Sequence, residues 1–211
     1  MSRRNVLAAA LVSPIIFGSS VLPAAAVTAT FNFDAVTIGL TTTFFDLNNG
    51  IQADFTSPTD SDAFYVAMDT TIAAGGFQNL SGNVLSNATM PNGLLKIAFS
   101  QPITSISFSF ALGDPGNTFM MNFATDAGVT EDATGSIPAG HLFPEGLLSY
   151  SGPAFTSVTL SSVPSFAIDN IVVSTSPVPV PAALPLFASG LGCLGLLGWR
   201  RRRKTRAIAA R

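Results

Sequence analysis

The sequence contains few of the residues on which most enzymes and metal proteins depend. Among its 211 residues there is one cysteine, one histidine and one tryptophan. The cysteine is Cys193, so the middle of the chain has no thiol, and a disulfide framework or a thiolate zinc site is excluded there. Evidence for the cellular compartment must therefore come from the two ends of the chain.

Basic residues are nearly absent between those ends. All 12 acidic residues lie between Asp34 and Asp169, and Lys96 is the one basic residue among them, so this stretch has a formal charge of −11. Such a field repels phosphate backbones, which excludes nucleic acid as a partner. The separation of charge indicates two terminal signals on either side of one acidic domain.

Catalytic motifs are also missing. The sequence His141-Leu142-Phe143-Pro144-Glu145 is not the H-E-x-x-H zinc arrangement, and Pro144 would break the helix that this motif needs, so we expect a loop. No G-x-S-x-G nucleophile motif and no phosphate-binding glycine loop occurs. The tyrosines and phenylalanines are assigned to the core. We therefore expect a protein that is not an enzyme and has no organic cofactor.

The first 26 residues have the three parts of a secretory signal. Arg3 and Arg4 form a positive start, residues 6–17 are apolar, and Ala24-Ala25-Ala26 gives the small-residue cleavage pattern. We expect a signal helix that is removed after Ala26 by a signal peptidase, once an export translocase has engaged it. The arginine pair followed by Val6 and Leu7 also fits the twin-arginine motif, so both export routes stay open.

Residues 27–173 show the alternation typical of strands rather than helices. Apolar residues alternate with polar ones over segments 64–68, 95–99, 105–110, 119–123 and 158–160. Turn signals recur at Asn48-Asn49-Gly50, Pro91-Asn92-Gly93, Gly113–Asn117 and Asp126-Ala127-Gly128. The pattern predicts an all-β domain, an antiparallel β-sandwich, in which the turn at 113–117 joins its two neighbouring strands as a hairpin.

The C-terminal part has a different pattern. Residues 174–181 alternate with proline, which favours an extended linker. Residues 182–199 carry no charge, and at about 1.5 Å per residue they predict a helix just long enough to cross a thin membrane. A basic tail of residues 200–211 follows, and its first five residues form a cluster that stops transfer on the cytoplasmic side: Arg200, Arg201, Arg202, Arg203 and Lys204.

This C-terminal layout resembles the PEP-CTERM sorting domain, in its VPLPA-CTERM variant. The motif is Val178-Pro179-Val180-Pro181-Ala182, in which Val180 replaces the leucine of that variant. The resemblance implies recognition by an exosortase, cleavage near Pro179–Ala182, and loss of the helix and the arginines. It also implies an inner-membrane intermediate and a final place on the cell surface or in the extracellular matrix.

The two ends of the middle domain resemble the ends of jelly-roll domains common in such exported proteins. Phe31-Asn32-Phe33-Asp34 opens the domain, and Phe166–Val173 closes it with Ile168-Asp169-Asn170-Ile171. The resemblance implies neighbouring terminal strands and makes Asp34 and Asp169 candidates for a structural calcium ion. The alternative is that both carboxylates accept hydrogen bonds from nearby backbone N–H groups.

These patterns lead to one main functional hypothesis and two alternatives. The main hypothesis is an exported, non-enzymatic surface or matrix protein that associates with exopolysaccharide. The first alternative is a carbohydrate-binding module whose loops recognise a defined glycan. The second is a secreted hydrolase that uses one pair of carboxylates.

Overall fold

The structure is a computed structural model that describes residues 25–41, 44–59, 63–73, 76–87, 92–115, 119–177 and 191. Most of both terminal signals lies outside these residues: the signal segment to Ala24, the sorting motif Val178–Ala182, the apolar segment apart from Leu191, and the cluster Arg200–Lys204. Among the described residues no helix is long and apolar enough to span a bilayer.

The described chain is built from ten strands and one helix of four residues. The strands are β1 (Thr28–Phe31), β2 (Phe44–Asn48), β3 (Ile51–Thr56), β4 (Tyr65–Met68), β5 (Asn83–Ser86), β6 (Leu94–Leu112), β7 (Met120–Thr125), β8 (Thr130–Thr134), β9 (Glu145–Ser161) and β10 (Phe166–Thr175), and the helix α1 spans Asp69–Ile72. All strand pairs are antiparallel. The prediction of an all-β antiparallel domain is confirmed.

The strands form two layers that share the long strands β6 and β9. In the first layer the order is β2-β3-β6-β9-β7-β8, which uses the N-terminal part of β6 and the C-terminal part of β9. In the second layer β10 pairs with the C-terminal part of β6 on one side and with β5 and β1 on the other. The alternation seen in the sequence decides which side chains point between the layers.

One core of buried aromatic and aliphatic side chains joins the layers. Phe33, which follows β1, packs edge-on against Phe55 of β3 with 5.5 Å between ring centroids, although β1 and β3 are not hydrogen-bonded neighbours. Phe123 of β7 packs against Tyr150 of β9 in a tilted arrangement, with 5.5 Å between ring centroids. These contacts across the layers make the domain a β-sandwich.

The hairpin prediction for residues 113–117 is wrong. The two flanking strands, β6 and β7, form no pair, and β9 lies between them in the sheet. The reason is that the C-terminal part of β6 belongs to the second layer, whereas β7 belongs to the first. The chain therefore leaves β6 in the second layer and enters β7 in the first.

The terminal strands are neighbours, as the resemblance implied. Thr28–Phe31 pairs with Ile171–Ser174, and the Thr175 N–H donates to the Val27 carbonyl at 2.9 Å. Residues 25–177 form one compact unit, and every residue of the main core cluster lies inside it. This unit, called the sandwich domain below, therefore contains every described residue of that core, as a domain that folds by itself requires.

Candidate functional site

The hairpin of β2 and β3 is held in position by its turn. Asn49 and Gly50 have φ values of 47° and 77°, the left-handed pair that a two-residue hairpin turn requires and that Asn-Gly adopts readily. The Asn49 Nδ2 donates to the Thr28 carbonyl at 2.7 Å, and the Gln101 Nε2 donates to the Gly50 carbonyl at 2.7 Å. These two bonds fix the tip of the hairpin to β1 and β6.

Two adjacent phenylalanines at the start of β2 point in opposite directions. Phe44 faces the core and stacks on Phe55, with ring centroids 5.0 Å apart. Phe45 faces outward and is 66% exposed, and Leu47, two residues on, is 62% exposed. The assignment of all phenylalanines to the core is therefore wrong for Phe45, because strand geometry turns consecutive side chains to opposite faces.

Polar side chains lie beside these apolar groups on the same outward face. The cross-strand partner of Phe45 is Asp54, and that of Leu47 is Gln52. The Gln52 Nε2 donates to the Asp54 Oδ1 at 2.8 Å, which fixes the orientation of both groups. The register places an amide and a carboxylate directly beside an exposed aromatic ring.

The face continues across the first layer to Lys96, the only basic residue of the sandwich domain. Lys96 is exposed and has Thr56 of β3 and Thr159 of β9 as its cross-strand partners. We call this surface the Phe45 face, and its members share an outward position on β2, β3, β6 and β9: Phe45, Leu47, Gln52, Asp54, Thr56, Lys96 and Thr159. It combines an apolar platform with neutral, acidic and basic hydrogen-bonding groups.

The two predicted calcium ligands meet at one short segment, residues 81–83. The Asp34 Oδ1 accepts the Asn83 N–H at 3.0 Å, and the Asp169 Oδ2 accepts the Ser81 N–H at 3.3 Å. Gly82 lies between them with φ +71°, and a Cβ there would collide with the Asp34 carboxylate. The two carboxylates thus hold this segment by accepting hydrogen bonds from its backbone N–H groups, as the alternative to calcium binding predicts.

A β-bulge brings Asp169 into this position. The register of β10 against β6 shifts between Asp169 and Val172, and Asn170 has φ 54°. The Asn170 N–H and Nδ2 both donate to the Asp169 carboxylate, at 2.7 and 2.9 Å. Asp169 is buried as a result.

Burial raises the pKa of Asp169 from 3.8 to about 6. Hydrogen bonds from Asn170 and Ser81 act against that rise, and the negative charges of Asp34 and Asp69 add to it. Within the described residues no group of three or more His, Cys, Asp or Glu side chains is placed to hold a metal ion. Calcium favours 6–8 oxygen ligands. The calcium site therefore stays a prediction that rests on Asp34 and Asp169.

A buried carboxylate that sequence analysis did not single out is Glu145. It accepts the Gln78 N–H at 2.9 and 3.0 Å and the Asn79 N–H at 2.6 Å, so it holds the segment after α1. His141 lies in a loop, as predicted, and its Nδ1 is 4.0 Å from the Glu145 Oε1. An alternating strand pattern gives no signal for such a group, because its role depends on a loop distant in sequence.

No family model and no curated protein is similar in sequence to the chain. The K2 cleaved adhesin domain of Lys-gingipain has a similar structure, with a TM-score of 0.45, 14% identity, and coverage of 71% of this chain and 100% of that one. The K1 adhesin domain of Lys-gingipain from Porphyromonas gingivalis W83 has a TM-score of 0.45 and 11% identity, with coverage of 70% and 97%.

A mutant of a family 29 carbohydrate-binding module is also similar, with a TM-score of 0.33, 12% identity, and coverage of 72% of this chain and 92% of that one. All of these TM-scores lie below 0.5. Such likenesses assign no function to this chain.

Proposed function

We propose that the sandwich domain is a non-catalytic carbohydrate-binding domain and that the Phe45 face is its glycan surface. The observation that carries this proposal is the exposed ring of Phe45 with the hydrogen-bonded pair Gln52–Asp54 beside it. The first alternative of the sequence analysis thus becomes the leading function. The face of a sheet, rather than a set of loops, supplies the contacts.

The apolar part of the face suits the ring of a sugar. One face of a pyranose is lined by C–H bonds that carry slight positive charge, and the face of an aromatic ring is negative, so the two attract. Phe45 and Leu47 lie two residues apart on one strand and together form an apolar surface. A single exposed apolar residue is common on protein surfaces, but an exposed pair of this kind is typical of a binding site. Such a surface gives a sugar ring a place to stack.

The polar part of the face suits sugar hydroxyls. A carboxylate accepts several hydrogen bonds, so the bond from Gln52 leaves Asp54 able to accept from hydroxyl groups. The carbonyl of Gln52 accepts, Lys96 donates, and the hydroxyls of Thr56 and Thr159 do both. The hydrogen bond between Gln52 and Asp54 orients these groups in advance, which reduces the entropy lost on binding.

The charge of the domain favours a neutral glycan. The domain carries a formal charge of −11, and Lys96 is its one cation, so a polyanion would be repelled over most of the surface. A neutral polysaccharide meets no such barrier. Binding to it should also depend little on salt.

A glycan array with the isolated sandwich domain tests this function. We expect saturable binding to one class of neutral glycan, and a loss of about tenfold or more in affinity in Phe45→Ala, because one stacking contact is worth about 0.5–1.5 kcal/mol beyond the area that it buries.

The matched control is Leu147→Ala. Leu147 of β9 is 65% exposed and lies opposite Ser109 in the C-terminal part of β6, which belongs to the second layer, whereas the Phe45 face lies on the first layer. Its removal should leave binding unchanged. If no neutral glycan binds, or if both variants lose affinity equally, the Phe45 face is not a glycan surface.

We further propose that this domain is exported and sorted as the terminal sequences predict. The supporting observations are the charge segregation, the signal pattern ending at Ala26, and the motif Val178–Ala182 before an uncharged segment and five basic residues. A surface protein that binds glycan in this way would associate with exopolysaccharide.

A further inference from the structure

A second surface feature lies on the outward side of the second layer. It is a cavity of about 130 Å³ with apolar walls formed chiefly by Ile72, Phe77, Ala111, Leu112, Phe143 and Phe166. Two serines, Ser86 and Ser165, also line it. None of the lining side chains is charged within the part of the chain that the structure describes.

The depth of the cavity comes from two alanines. Ala111 of β6 and Ala167 of β10 are cross-strand partners, and both line the cavity. Ala111 also lies opposite Glu145 of β9. Larger side chains at either alanine would fill the space, so the small residues leave a recess in an otherwise continuous sheet.

Two phenylalanines from different loops form the entrance. Phe77 and Phe143 pack edge-to-face with ring centroids 6.0 Å apart, and both are partly exposed. Phe77 follows α1, and Phe143 precedes β9. Both rings line the cavity and are in part accessible from solvent.

The loop that carries Phe77 is fixed by the buried group described above. The Glu145 carboxylate accepts the N–H groups of Gln78 and Asn79, the two residues directly after Phe77. His141 Nδ1 lies 3.3 Å from the carbonyl of Gly76, the residue before it. Burying a carboxylate is costly unless it is fully hydrogen-bonded, so this arrangement holds the entrance in one geometry.

From these observations we infer that the cavity is a second ligand site, separate from the Phe45 face, that accepts a small, uncharged, largely apolar group. Apolar cavities of about 150 Å³ admit benzene, so the volume here suits a group of that size or smaller. The two serines add hydroxyl oxygens to the wall, which suits a group with one polar atom, and the Ser86 hydroxyl itself donates to the Phe166 carbonyl at 3.2 Å. Such a group occurs as an acyl substituent on a sugar or as a free small molecule.

The test is titration of the isolated sandwich domain, labelled with ¹³C at its alanine methyl groups, with benzene, N-acetylglucosamine and glucose. We expect benzene to shift the Ala111 and Ala167 signals saturably and to leave those of Ala29 and Ala53 in place. A shift with N-acetylglucosamine but not with glucose assigns the group to a sugar substituent. A shift with benzene alone assigns it to a free small molecule. No shift with benzene or N-acetylglucosamine overturns the inference.

Two neighbouring substitutions provide the matched comparison. Phe143→Ala removes one side of the entrance and should weaken benzene binding roughly tenfold, on the scale of one lost aromatic contact. Leu142→Ala, at an adjacent side chain that is 61% exposed and is not part of the wall, should not change it. An equal effect of both changes would overturn the inference. Phe45→Ala should keep benzene binding, so failure of the glycan proposal would be seen separately.

A second variant tests the site without removing an aromatic ring. In Ala111→Leu the larger side chain should fill the recess. Filling a cavity commonly keeps or raises stability. The expected result is an unchanged or higher Tm together with loss of the benzene shift at Ala167. Full binding by a folded Ala111→Leu domain would contradict the placement of the ligand.

Discussion

At the scale of single residues, Asp169 is held in an environment that disfavours its charge. Burial raises its pKa from 3.8 to about 6, so the folded domain binds a proton on this group more tightly than the unfolded chain does. Below about pH 4 both states are protonated and the group costs nothing. Above about pH 6 its ionisation in the folded state carries a constant penalty.

We therefore predict that Asp169→Asn changes the pH dependence of stability. The difference in free energy of unfolding between the variant and wild type should rise by about 1–3 kcal/mol in favour of the variant from pH 4 to pH 7. Any stability that the variant loses through weaker hydrogen bonds is the same at every pH and does not change this rise. Urea unfolding at several pH values measures this difference. A difference that stays flat with pH would show that the carboxyl is not perturbed.

Asp126 offers a comparison of the opposite sign. Burial is the largest single influence on its pKa and raises it, but the hydrogen bonds from the Thr156 hydroxyl and from the backbone of Thr156 and Ser157 together outweigh burial and lower the pKa. The contribution of Asp126 to stability is therefore present at neutral pH and is lost as the pH falls through its folded-state pKa. Asp126→Asn should lose stability relative to wild type as the pH rises, where Asp169→Asn gains.

At the scale of elements, the position of Phe45 depends on the turn of its hairpin. β2 pairs with β3 alone within the sheet, and Gly50 has φ +77° with open space where a Cβ would lie. Gly50→Ala should cost about 1 kcal/mol, because a side chain disfavours this backbone conformation. Hydrogen exchange should show faster opening of β2, and glycan affinity should fall with it.

Gly39→Ala is the control for that change. Gly39 has φ +81° and equally open space, but it lies outside the β2–β3 hairpin. It should lose a similar amount of stability and keep glycan affinity. If Gly39→Ala weakens glycan binding as much as Gly50→Ala does, the effect is one of general stability and not of hairpin geometry.

The strands could be predicted from the sequence better than their arrangement could. Alternation placed Leu95, Ile97 and Phe99 in the core correctly, because a period of two follows directly from strand geometry. It could not show that β9 lies between β6 and β7, since the order of strands depends on which layer each one joins. The alternation also could not show which of Phe44 and Phe45 faces the core, because two consecutive aromatic residues fit either register.

The residues of the candidate sites could be predicted from the sequence only in part. The resemblance of the terminal strands to the ends of jelly-roll domains made Asp34 and Asp169 candidates for a calcium site. The structure brings both side chains to residues 81–83. Nothing in the sequence pointed to Glu145 or to the recess over Ala111, because both depend on loops that meet only after folding.

At the scale of the whole molecule, the terminal signals predict a defined mature product. Intact mass of the protein isolated from cells should show loss of residues 1–26 and of the tail beyond the motif Val178–Ala182. A surface protein that retains Trp199 and the arginines would instead be a plain single-pass anchor. A general export signal and a twin-arginine signal would give the same mass, so blocking each pathway in turn separates them.

The pairing of β10 has a mechanical consequence for a protein tethered through its C-terminal side. β10 is hydrogen-bonded to β6 on one side and to β5 and β1 on the other, in antiparallel register. A pull on Pro177 directed along β10 would load its ladder bonds together in shear, because these bonds lie perpendicular to the strands. In the proposed surface protein, β10 is therefore the strand that would carry a load applied from the C-terminal side.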